Sequence, residues 1–216
     1  MLERHRANFR LYRADIRDRT GLDRSRLQCE ADLGVATVLV NNAGIDQPPG
    51  PARTFRIEDV PLEEFRFVVD VNLIGAFQAA QVFGPAIIGV GGGSIINIGS
   101  LYASVSPDAR FYDHLGHEPP FLKPPAYGAS KAALVNLTRY LATHWGPSGV
   151  RVNALSPGGV EGDQDEAFKR KFTARVPLGR MAGARDLGGP LIFLASDASS
   201  YVTGLELLVD GGFTAW

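Results

Sequence analysis

Four short apolar runs, each stopped by turn-forming residues, constrain the fold more than anything else in the chain. They are Val35–Val40 (VATVLV), Ser94–Ile98 (SIINI), Val150–Leu155 (VRVNAL) and Leu205–Val209 (LELLV). Runs this short and this continuously apolar suit strands buried on both faces, as in a parallel sheet. The stops are Asn41-Asn42-Ala43-Gly44, Gly99-Ser100, Ser156-Pro157-Gly158-Gly159 and Asp210-Gly211-Gly212, all rich in residues that end strands. Helical stretches separate the runs: residues 22–33, Pro61 to Phe83 with Pro61 suited to a first helical position, the segment holding Tyr127, and Ala184–Ala195. A further short strand is expected at Phe9–Ile16 (FRLYRADI), ending at Asp15, and residues 1–10 read as the frayed end of a helix. Strands alternating with helices predict an α/β fold with a mostly parallel sheet. No repeat or linker divides the chain, so residues 1–216 read as one domain.

The remaining composition narrows what such a domain does. A net charge of -1 gives no bulk attraction to nucleic acid or to an anionic membrane. Cys29 is the only cysteine, so no internal disulfide forms, and a reducing cytoplasm suits the chain. The first ten residues are too charged for a secretory signal, and no apolar run is read as reaching membrane-spanning length.

Chemistry gathers around Tyr127-Gly128-Ala129-Ser130-Lys131. Ala132, Leu134, Val135, Leu137 and Leu141 recur at near-helical spacing, which puts Tyr127 and Lys131 one turn apart on the same face. A phenol titrates near ~10, and an adjacent ammonium is expected to draw it down toward a usable acid or base. Ser100 follows a strand end and can offer a hydrogen bond to a substrate oxygen. Asn72 sits among apolar helix neighbours, so its amide needs a partner, either structural or a water in a proton relay.

Asn41-Asn42-Ala43-Gly44, Asn72, Ser100, Tyr127-x-x-x-Lys131, Pro157-Gly158, YVTG at 201–204 and VDGG at 209–212 resemble the short-chain dehydrogenase/reductase family in identity and order. The resemblance runs from about residue 9 to the C-terminus. It implies a Rossmann-like three-layer α/β/α fold and an oxidoreductase that interconverts a secondary alcohol and a ketone with NAD or NADP. It also implies catalytic roles for Asn72, Ser100, Tyr127 and Lys131. Tyr127 would exchange the proton, Ser100 orient the reacting oxygen, Lys131 hold the nicotinamide ribose, and Asn72 hold a water behind Lys131. Asp15 and Ile16 would lie along the adenine. Asn42, Ala43 and Gly44 would flank the ribose, and Pro157, Gly158 and Val160 the carboxamide. Relatives of this kind form homo-dimers or homo-tetramers.

The chain also departs from that pattern. No strand followed by a glycine-rich turn and a helix precedes Asp15, so the family's first two strands and first helix are expected to be missing, and this chain to bind cofactor weakly. Ser100 and Tyr127 stand about twice as far apart as is usual. The extra residues, DARFYDHLGHEPPFLKP, are expected beside the substrate and favour a polar, hydroxylated or anionic one. The stretch looks like family members linked to sugar and sialic-acid-like surface-glycan pathways. Within it, Asp113, His114, His117 and Glu118 offer a zinc-like set as a lesser alternative. Gly162 replaces a usual threonine, and the acidic run Glu161–Glu166 reads as a solvated, mobile flap. Against the oxidoreductase stands a non-catalytic remnant serving as a partner or scaffold chain.

Overall fold

The computed structural model describes residues 9–47 and 54–216. The arginine-rich start at Arg4 and Arg6, with His5, and the middle of the Pro/Gly-rich loop after Asp46 lie outside the described residues.

All four apolar runs form strands: β1 (Val38–Asn41), β2 (Gly93–Ile98), β3 (Val150–Pro157) and β4 (Glu206–Val209). They make one parallel sheet in the order β1-β2-β3-β4. The register sets Asn41 beside Asn97, Ile98 beside Leu155 and Pro157 beside Val209, so the carboxyl ends share one edge. Parallel neighbours need crossovers, and helices supply them. α1 (Arg19–Leu33) precedes β1, capped by the Asp18 carboxylate, which accepts from the Thr20 amide. A helical stretch made of α2 (Leu62–Val69), a π-turn (Asp70–Gly75) and α3 (Ala76–Gly89) links β1 to β2. α4 (Pro125–Trp145) links β2 to β3, and α5 (Glu166–Thr173) and α6 (Ala184–Ala195) link β3 to β4.

Side chains alternate across the sheet and build a core on each face. Ile95, Val150 and Val152 pack with Ala80, Ile87 and Leu141 from α3 and α4. Ile96 and Leu155 point the other way, against Leu194 of α6. Each layer covers apolar surface that the continuous runs would otherwise expose. The result is the three-layer α/β arrangement.

Three readings from the sequence need correction. Residues 9–15 form no strand; the segment is held instead by the Tyr12 hydroxyl donating to Asp32 (2.8 Å) and by the Asp15–Arg17 pair (2.6 Å). A strand exists only with a ladder partner, and none of the four described strands pairs with this segment. Second, Leu62–Gly89 is a 28-residue helical stretch that is long and apolar enough to cross a membrane. Its length went unseen because Pro85, inside α3, reads as a stop, yet the helix continues through it. Half of its most apolar window is buried inside the domain, which accounts for that character as core. Third, the acidic run is exposed as expected, but it is locally ordered by hydrogen bonds. Asp165 caps α5 by accepting from the Phe168 amide (2.9 Å), and Gln164 braces both the Gly162 amide and the Val160 carbonyl. α5 itself was missed because two turns of helix give too short a periodicity to read.

Candidate active site

The carboxyl edge of the sheet opens into a cleft of about 1120 Å³, the place where open parallel sheets take ligands. Asn42 and Gly44 reach it from the turn after β1, Ser100 from the end of β2, Tyr127 and Lys131 from α4, and Pro157 and Gly158 from the end of β3. Residues far apart in the chain meet because parallel strands end together.

Tyr127 is held in the first turn of α4. Pro125 opens the helix, and the Tyr127 amide donates to the Pro124 carbonyl at 3.1 Å. Its ring packs edge-on against Tyr102, with centroids 6.5 Å apart. Ser100 starts a 3-10 turn, Leu101–Ala103, and its Oγ accepts from the Tyr102 amide at 3.2 Å. The same hydroxyl lies near enough to the Tyr127 side chain to favour its charged form.

The electrostatics differ from the sequence reading. Burial pushes the Tyr127 phenol above its ordinary value; the nearby Ser100 hydroxyl opposes this and the Asp46 carboxylate adds to it. Lys131 does not draw it down. The lysine Nζ donates to the Ile98 carbonyl at 2.6 Å and lies 5.8 Å from the Tyr127 ring centroid. Burial instead lowers Lys131 from 10.5 to about 8, because an ammonium is costly to desolvate. Tyr127 is therefore a protonated acid at neutral pH.

Asn72 lies in the π-turn, a device often found at functional sites. Its Oδ1 accepts from the Ile45 amide and its Nδ2 donates to the Ile45 carbonyl, each at 2.8 Å, and also to Ser130 Oγ at 3.0 Å. The structural partner is therefore the one present, and Asn72 clamps the turn after β1 onto α4. Ser130 completes the clamp by donating to the Tyr127 carbonyl at 2.7 Å. Beneath it runs a buried chain in which Asn41 donates to Asn97 and Asn97 to Thr138, each at 2.8 Å. Sequence reading missed Ser130, Asn97 and Thr138. Their signal was a polar residue inside an apolar run, as in SIINI, which requires a buried partner.

Gly44 is a tight spot: an added Cβ would lie 3.3 Å from Asn72 Oδ1 and 3.4 Å from Lys131 Nζ. Ala43 lies between Asn42 and Gly44 in the same turn. At Gly158 a Cβ would come within 2.7 Å of Asp210 Cα, so the turn after β4 leaves no room for a side chain there. Val160 lines the cleft and makes a parallel bridge to Ala182. Asp15 and Ile16 do not line this cleft. The Asp15 carboxyl is held down to about 2 by hydrogen bonds from Arg17, and Ile16 packs against Leu22 and α3. The Ile16 carbonyl accepts from Gln78 Nε2 at 3.0 Å, and its side chain lies against Gly75 at the end of the π-turn. The loop residues Asp113 and His114 turn to Lys171 and Asp165 respectively. Among the described residues no group of three or more His, Cys, Asp or Glu side chains could hold a metal ion.

The cleft fits the nicotinamide-ribose half of a dinucleotide. Lys131 has three N–H donors, and among the described residues its one hydrogen-bond acceptor is the Ile98 carbonyl. A buried amine with protons left over at a cleft wall suits a diol. Among the described residues no strand leads through a glycine-rich turn into α1.

Comparison with known proteins agrees with this geometry. A family profile described as enoyl-(acyl carrier protein) reductase matches residues 1–214. Over 209 residues the chain is 34% identical to the L-tagatose-forming galactitol 2-dehydrogenase of Cereibacter sphaeroides, covering 94% of this chain and 75% of that protein. A short-chain dehydrogenase from Leptospira borgpetersenii with bound NAD+ superposes with a TM-score of 0.82 at 38% identity, over 93% of this chain and 74% of that one. A gluconate 5-dehydrogenase from Burkholderia cenocepacia, in complex with NADP and tartrate, gives a TM-score of 0.80 at 31% identity, over 94% and 74%.

Proposed function

The chain belongs to the short-chain dehydrogenase/reductase family, and on that footing we propose that Tyr127 is the acid and base of an NAD(P)-dependent interconversion of a secondary alcohol and a ketone. The substrate is polar and sugar-like. The observation that carries this reading is the convergence of Ser100, Tyr127 and Lys131 in one cleft. The nicotinamide gives or takes the hydride. The protein's part is placement and the proton. In reduction Tyr127 Oη gives its proton to the carbonyl oxygen; in oxidation the phenolate takes the hydroxyl proton. Ser100 orients that oxygen through its own hydroxyl. Lys131 holds the ribose, and Asn72 fixes the turn on which Gly44 lies.

Residues 1–216 are read as one domain, working in the cytoplasm as a homo-dimer or homo-tetramer. Polyol and sugar substrates are suggested by the galactitol and gluconate dehydrogenases among its relatives. To test the activity, the full-length protein is mixed with NAD+ or NADP+ and a panel of polyols, and the near-ultraviolet absorbance of the reduced nicotinamide is followed. Alcohol-dependent signal with at least one coenzyme is expected. Its absence with both coenzymes across the panel counts against the proposal.

A further inference from the structure

Beside Tyr127 lies an ion pair that the catalytic scheme does not use. Lys123 Nζ sits 2.6 Å from Asp46 Oδ2 and 5.5 Å from the centroid of the Tyr127 ring, and both residues line the cleft. Neither position is accidental. Lys123 directly precedes Pro124-Pro125, whose restricted backbone begins α4, so it is fixed relative to Tyr127. Asp46 follows Ile45, whose amide and carbonyl are both gripped by Asn72. The lysine side chain is 17% exposed and the aspartate 52% exposed, so the pair presents its carboxylate to the cleft.

We propose that Asp46 and Lys123 read the hydroxyls next to the reacting carbon, and that the preferred substrate is an uncharged polyol rather than a sugar acid. This rests on the oxidoreductase reading above. An ammonium donates and a carboxylate accepts, so an adjacent pair of substrate hydroxyls can bond both at once. A substrate carboxylate is served poorly, because the charge on Lys123 is already matched by Asp46. Asp163 and Asp165 also line the cleft, where Lys131 is the only other cation among the lining residues. A carboxylate brought there meets like charge.

The test compares kcat/KM for galactitol and for galactonate, a neutral and an anionic sugar of equal length, in wild type, Asp46→Asn and Lys123→Met. Wild type should prefer galactitol. Asp46→Asn frees the lysine charge and should move the galactonate:galactitol ratio up by about tenfold. Lys123→Met leaves the carboxylate alone and should move that ratio down. Opposite shifts mark recognition, since a merely structural role would lower both substrates together. A wild-type preference for galactonate, or ratios unmoved in both variants, overturns the proposal. Turnover of simple secondary alcohols such as cyclohexanol, but of neither sugar, overturns the substrate assignment alone. Turnover of nothing overturns the oxidoreductase reading with it.

Discussion

Tyr127→Phe should lower turnover by about 10³-fold while leaving coenzyme binding and folding nearly unchanged. The variant loses one hydroxyl and keeps the ring. The edge-on contact with Tyr102 and the position beneath Lys123 both depend on that ring. Only the polar contact toward Ser100 is lost, so the fold should barely change. What disappears is the group that gives and takes the proton, so the loss falls on kcat and not on coenzyme affinity. Steady-state kinetics and a fluorescence titration with reduced coenzyme separate the two. Turnover within about tenfold of wild type would mean that another group moves the proton.

Lys131→Met should separate function from stability. The ammonium is lowered from 10.5 to about 8 by burial, so the folded chain holds that proton less tightly than the unfolded one. Wild-type stability therefore rises with pH between those values, and the cost stands in full below about 8, a difference of about 3 kcal/mol. Methionine fills similar space without the charge. At neutral pH the variant should resist urea as well as wild type or better, although it gives up the bond to the Ile98 carbonyl. Raising the pH toward 10.5 should stabilise wild type and not the variant. Turnover should fall by about 100-fold or more, since a positioned cation is lost. A variant that is both active and unstable would assign Lys131 to the scaffold. A chain acting only as a partner or scaffold gains nothing from burying this ammonium, which argues against the remnant reading.

The sheet was legible because each strand is a short apolar run closed by glycine, proline or asparagine, and β1 to β4 all fall on such runs. α6 matches its expected limits, Ala184–Ala195. FRLYRADI mixes apolar with charged residues and has no such closing turn; it forms no strand, because pairing depends on a neighbour that no local pattern contains. Tyr127, Lys131 and Ser100 could be named from their motif and order. Their electrostatics could not, since the direction of each shift depends on burial and on where the Lys131 ammonium points. Asp46 was invisible as a site residue: it follows the Asn41–Gly44 turn as one acid among many, and only the fold sets it against Lys123.

The pH dependence of kcat/KM, measured in both directions in wild type and in Tyr127→Phe, tests most directly whether Tyr127 carries the proton. Oxidation needs the phenolate and reduction needs the phenol. Burial holds the phenol protonated at neutral pH. Oxidation should therefore climb by about tenfold per pH unit on going alkaline, reduction should stay level over the same neutral range, and the climb should vanish in Tyr127→Phe. Oxidation that stays flat with pH, or a climb that survives in the phenylalanine variant, would contradict the mechanism.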